Sequence, residues 1–145
     1  MIEHRARARW RGDLKHGAGS FQSSSSAGRY SFSSRFEEAP GSTPEELIGA
    51  AHASCFAMAL ALFLGRQGHR PVAIDTAATV HLDPQKLAIA RIELDADAEV
   101  PGLSDSAFQE CAELAKENCP VSKALSGVEI LLRSARLKHA ARERA

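Results

Sequence analysis

From Leu47 to Leu64 the chain runs for eighteen residues without an Asp, Glu, Lys or Arg. Ahead of that run stand Thr43, Pro44, Glu45 and Glu46. A hydroxyl at the N-cap, a proline at the first helical position and a glutamate three residues after the cap are the signals of a helix start. Small residues crowd the run (Gly49, Ala50, Ala51, Ala53, Ala57, Ala59, Ala61), and Gly65 to Gly68 punctuate its end. A helix apolar all round predicts burial on every side. Its length touches the lower edge of a membrane span. His52, Ser54, the many alanines and the strand-rich remainder argue instead for the core helix of a soluble domain.

Around this helix the pattern is that of strands. Arg5, Arg7, Arg9 and Arg11 alternate with Ala6, Ala8 and Trp10, the two-residue period of a strand with one wet face. Gly17, Gly19, Gly28 and the run Ser23 to Ser26 suggest a flexible hairpin connection over residues 17–28, followed by an alternating Ser-rich strand reaching Arg35. Val72, Ile74, Val80 and Leu82 share one parity. From Ala88 to Val100 apolar residues oppose Arg91, Glu93, Asp95, Asp97 and Glu99, with Asp83 and Pro84 marking the turn between the two strands. Ser104 caps an amphipathic helix running to Asn118, and Pro120 stops it. A short helix through Leu125 and a last strand (Val128, Ile130, Leu132) follow. The fold class is α+β, two helices on a strongly bent antiparallel sheet. Residues 1–137 are expected to form a single domain, and the charged residues 138–145 a disordered tail.

The chain has 145 residues, the size of one domain, and its 18 basic residues balance its 18 acidic ones. No overall field draws it to nucleic acid or to an anionic membrane. The arginines of the first strand lack aromatic interleaving and read as a solvated face. Charge begins at Glu3, with no apolar core of a secretory signal, so the cytoplasm is the expected compartment. Three cysteines, at 55, 111 and 119, suit neither a disulfide framework nor a four-thiolate zinc site, and leave redox or nucleophilic chemistry.

Taken alone, Cys55 lies mid-helix in a buried segment, where a thiol is ordinarily inert and its pKa raised. His52 is three residues earlier on the same helical face, which leaves a Cys–His nucleophile as an alternative. Cys119 sits where one helix stops and the next begins, close to free N–H groups that favour a thiolate. Cys111 shares an apolar stripe with Phe108 and Ala115. It reads as packing, about 12 Å along the helix axis from Cys119. Glu46 is accounted for by the capping box. Glu45 and Arg35 have ordinary local readings.

Two stretches change the weight of these residues. Ser34 to Glu37 followed by Gly41 to Phe56, and the later run Asn118-Cys119-Pro120-Val121-Ser122-Lys123, closely resemble the two signatures of the osmotically inducible protein C (OsmC) family, which is related to the organic hydroperoxide resistance proteins. Trp10 to Asp13 and Val100 to Leu103 are similar to its pattern too, and the likeness covers Ala8 to about Leu132. The resemblance implies a peroxidatic Cys55, a resolving Cys119, an Arg35 that stabilises thiolate and peroxide, and a Glu45 that orients the arginine. It implies an intertwined homodimer that reduces organic hydroperoxides, needs no cofactor or metal, and is recycled by a dithiol reductant, possibly of the lipoyl type. No nucleic-acid or membrane partner is expected. The rival readings are a non-catalytic binding protein of the same fold, a Cys55/His52 hydrolase, and a zinc site on Cys55, Cys119 and His52.

One geometric constraint bears on assembly. Glu45 and Cys55 are ten residues apart, so one straight helix separates them by about 15 Å along its axis and roughly 80° around it. If both belong to one pocket, the glutamate beside a given Cys55 comes from a second copy of the chain.

Overall fold

The computed structural model describes residues 1–139, and the chain falls into two compact units, Met1–Leu47 and Ile48–Ala145. In the first unit, strands β1 (Ala6–Arg11), β2 (Ala18–Ser23) and β3 (Ala27–Tyr30) form an antiparallel sheet in that order. The expectation of a loose connection over residues 17–28 fails: beyond Gly17, only the turn between Ser23 and Ser26 is free of pairing, closed by Ser23 N–H donating to the Ser26 carbonyl at 2.8 Å. The glycines that suggested a loop do a different job. Gly19 pairs with Tyr30 and Phe21 with Gly28, and each aromatic ring lies over the glycine opposite it. A Cβ on Gly28 would stand 2.5 Å from Phe21 Cζ, and one on Gly19 would stand 2.5 Å from Tyr30 Cζ. The missing side chain is the seat of the ring, a cross-strand device that pins register.

A second correction concerns Ser31 to Phe36. The alternation of serines with Phe32 suggests a strand, but Phe32–Phe36 is a short helix, α1. Ser31 accepts from the Ser34 N–H while Ser34 Oγ accepts from the Ser31 N–H at 2.8 Å, a reciprocal capping box built from two serines. Ser34 Oγ also lies 2.8 Å from the Ser42 carbonyl, which folds the following loop back.

Helix α2 (Pro44–Arg66) begins as the sequence predicts, with Glu46 N–H donating to Thr43 Oγ1 at 2.9 Å. Its apolar character is not matched by burial on every side. His52, Phe56, Leu60 and Leu64 are each 0% exposed, a ridge at four-residue spacing turned into the core. Gly49 packs against Ala78 and Val80, and Thr76 Oγ1 donates to the Ala53 carbonyl at 2.8 Å, so this side lies on β4. The opposite face, with Ala50, Ala51, Ser54, Met58, Ala61 and Leu62, is exposed. One three-stranded sheet and one other long helix cover a single side of a cylinder. By length and composition α2 could cross a membrane.

The second unit holds β4 (Ala73–Asp83), β5 (Ala88–Glu99) and β6 (Glu129–Leu137) in that spatial order. Alternation places Ile92, Leu94, Ala96 and Ala98 in the core and Glu93, Asp95 and Asp97 on the other face. There Arg133 Nε spans both oxygens of Asp95 at 3.1 Å and Arg136 reaches Asp97 at 3.0 Å. Arg133 holds the Asp95 carboxyl below the usual carboxylate range. The sheet is not purely antiparallel: β4 and β5 are antiparallel, but β6 runs parallel to β5. The reason lies between them. Helices α3 (Asp105–Asn118) and α4 (Pro120–Ala124) form a crossover that returns the chain to its starting end, and a helical crossover yields a parallel neighbour. Lys138 N–H still donates to the Ala98 carbonyl at 2.7 Å, one residue past the boundary expected for the domain. The rest of the expected tail, residues 140–145, lies outside the described residues.

The ring-over-glycine pairs make a prediction. Gly28→Ala drives a methyl into Phe21 and is expected to destabilise the protein by about 1–3 kcal/mol, as overpacking does. Phe21→Leu in the same chain should recover part of that loss. Thermal melts of the two single variants and the double variant check this; strictly additive losses would show that the ring and the glycine do not compete for one space.

Candidate active site

The four residues singled out from sequence are brought together as two pairs. In the first unit, Arg35 on α1 meets Glu45 in the opening turn of α2. Arg35 Nε donates to both carboxylate oxygens, at 3.0 and 3.1 Å, and a terminal guanidinium nitrogen donates to Oε1 as well. Glu45 is 7% exposed, and the Arg35 guanidinium also lies 5.4 Å from the centroid of the Phe36 ring. A forked ion pair of this kind fixes the plane of the arginine. It exists because the serine capping box turns Ser31 to Phe36 into a helix, where a strand would have carried Arg35 elsewhere.

The second unit pairs the cysteines. Cys55, on α2 three residues beyond His52, is partly buried and packs against the core; Cys119 is 0% exposed. Cys119 ends α3, its N–H donating to the Ala115 carbonyl at 3.0 Å, and at the same time caps α4. Its Sγ accepts from the Ser122 N–H at 3.5 Å. The preceding N–H, that of Val121, favours the anion of Cys55. Free N–H groups of one helix start are therefore shared between the two sulfurs. The sequence placed them at Cys119 alone, and nothing in residue type announces the Val121 contribution, since a backbone donor looks the same under any side chain.

These donors do not prevail at Cys55. Burial pushes its thiol up, and the adjoining Cys119, with which it competes for one negative charge, pushes it further, against the opposing pull of Val121. Cys111 is fully buried on α3 beside Phe108 and Ala115, as its stripe predicted, and burial raises its thiol too.

His52 is fully buried. Its Nε2 lies 2.8 Å from Ser122 Oγ, and its Nδ1 has no partner among the described residues. Burial lowers its pKa, which favours the neutral ring. The partner of His52 is thus a serine, which removes support from the Cys55/His52 hydrolase. Among the described residues no group of three or more His, Cys, Asp or Glu is placed to hold a metal ion.

Residues 37–133 match the family of OsmC-like proteins. The chain belongs to that family. It is 45% identical over 129 residues to Peroxiredoxin OsmC of Escherichia coli strain K12, an alignment covering 86% of this chain and 90% of that one. Solved OsmC-like folds agree with its architecture at low sequence identity. An OsmC-like protein of Vibrio cholerae superposes with a TM-score of 0.73 at 19% identity, covering 92% of this chain and 99% of that one. An organic hydroperoxide resistance protein OsmC of Legionella pneumophila gives 0.69 at 19% identity, covering 96% and 100%.

The competition between the two sulfurs is testable. Cys119→Ala removes the neighbour that disfavours the Cys55 anion, so the Cys55 pKa should fall, read as a lower midpoint in the pH dependence of its alkylation by iodoacetamide. A rise would mean that the Cys119 S–H donates to the Cys55 thiolate and steadies it.

Proposed function

We propose that this chain is a cysteine-based peroxidase that reduces organic hydroperoxides to alcohols, with Cys55 as the peroxidatic and Cys119 as the resolving thiol. The observation that carries the reading is the meeting of these two sulfurs at the start of α4. The name of the E. coli relative, Peroxiredoxin OsmC, supports it. The Cys55 thiolate attacks the distal peroxide oxygen, the O–O bond breaks, and the alcohol leaves with a proton. Cys55 is left as a sulfenic acid. The Cys119 thiol then attacks that sulfur, forming the disulfide and releasing water. A dithiol, for which a lipoyl group is the proposed source, reduces the disulfide, and the apolar side chains packed about Cys55 suit the organic part of the peroxide. The proposed setting is the cytoplasm.

A thiol that burial and its neighbour push up needs a cation to ionise near neutral pH, and Arg35, held by Glu45, is the proposed one. We infer that it serves the Cys55 of a second copy. The Arg35–Glu45 pair sits at the first turn of α2 and Cys55 about three turns further along, too far for one straight helix to join them in one pocket. The exposed apolar face of α2, with Met58 at 76% and Leu62 at 51% exposure, gives a second α2 something to cover, and Ala50, Ala51 and Ala61 allow close approach. In this reading the two units act together as one domain over residues 1–137.

Two experiments test the proposal. With tert-butyl hydroperoxide, Cys55→Ser should consume none, while Cys119→Ser should consume one equivalent and stop with Cys55 oxidised; equal loss of the first turnover in both variants would overturn the division of roles. A mixed dimer of one Glu45→Ala chain with one Cys55→Ser chain places both lesions in one pocket and leaves the other intact, so about half of wild-type activity should remain. Near-zero activity would mean that each site is built within one chain.

A further inference from the structure

Ser122 does two things at once. Its Oγ lies 2.8 Å from Nε2 of His52, and its backbone N–H donates to Cys119 Sγ at 3.5 Å. His52 belongs to α2, one turn before Cys55 on the same face. A single residue of α4 therefore links the helix that carries Cys55 to the sulfur of Cys119. Helix α4 has five residues, too few to hold a conformation by its own backbone bonds. Its placement depends on what anchors it.

The anchor is costly. His52 and Ser122 are 0% and 6% exposed, and His52 Nδ1 is buried without a partner among the described residues. An apolar pair of similar shape would avoid that unpaired nitrogen, so stability alone gives no reason for the polar pair. We propose that His52 is a positioning residue for the resolving step: through Ser122 it holds Cys119 in line for attack on the oxidised Cys55. This rests on the thiol-peroxidase reading above. The step served is Cys55–SOH plus HS–Cys119 giving the disulfide and water. The S–S bond forms, the S–O bond breaks, and the thiol proton leaves with the hydroxyl. Sulfur-to-sulfur attack requires alignment along the breaking S–O bond, and misplacement by a fraction of an ångström slows such a step steeply.

The test separates the two chemical steps. One equivalent of tert-butyl hydroperoxide is mixed with reduced protein; peroxide loss reports the first step, and acid quench followed by alkylation and intact-mass analysis reports disulfide closure. In Ser122→Ala and His52→Leu, closure should slow about tenfold or more, the scale of one lost buried hydrogen bond, while peroxide loss stays within about twofold of wild type. His52→Gln, whose amide nitrogen reaches a similar place, should recover most of the closure rate. The double variant His52→Leu/Ser122→Ala leaves neither partner unpaired; it should melt near the wild-type temperature and close no faster than the single variants. That result separates positioning from general loosening. Unchanged closure in Ser122→Ala and in the double variant would overturn the proposal, and so would equal slowing of both steps, which would put His52 in the peroxide reaction itself. If wild-type protein consumes peroxide without forming a Cys55–Cys119 disulfide, the failure belongs to the assignment of the resolving cysteine, and the proposal falls with it.

Discussion

The buried ridge of α2 is the constraint on which the second unit depends. His52, Phe56, Leu60 and Leu64 all point one way, and Gly49 lets the same side of the helix settle against Ala78 and Val80 of β4. Once that face is fixed, Cys55 has one place to be, at the border of the core and one turn past His52. The polar member of the ridge is the informative one. Three apolar side chains would hold the helix equally well; a histidine in their row adds a direction, because its Nε2 has to find Ser122.

The reactive geometry is assembled from backbone features that are modest individually. Pro120 stops α3 and opens α4, so Cys119 becomes the C-cap of one helix and the N-cap of the next. The freed N–H groups of Val121 and Ser122 then face the two sulfurs. Burial works against these donors and wins at Cys55, whose thiol is raised. A thiol raised in this way needs a cation to ionise near neutral pH, the role proposed for Arg35. In the first unit a forked carboxylate holds Arg35 in a set orientation, and a guanidinium, always charged, is suited to that task where a lysine would be looser.

Several features of the fold and the candidate site are legible in the sequence alone. The helix start at Thr43, the strand parity from Ile92 to Val100, the cap at Ser104 and the break at Pro120 each follow from local rules acting over three or four residues. The positions of Cys55, Cys119, Arg35 and Glu45 came from the resemblance of two motifs, since each residue has an ordinary reading when taken alone. What misled the sequence reading was also local. Gly19 and Gly28 look like loop residues until Tyr30 and Phe21 are known to lie over them, and Ser31 with Ser34 looks like strand alternation until their hydroxyls are seen to close a helical turn.

Outside residues 17–36, the sequence by itself determined which segments are helical or extended, and it marked which side chains have chemistry to offer, because those depend on neighbours along the chain. Only the tertiary structure decided the rest. That β6 lies parallel to β5, that one side of α2 is covered and the other open, that His52 bonds Ser122 across seventy residues of chain, and that Val121 faces Cys55 all depend on which surfaces meet in space. Packing selects those partners from many chemically equivalent ones, and a backbone N–H carries no mark in the sequence of which sulfur it will face.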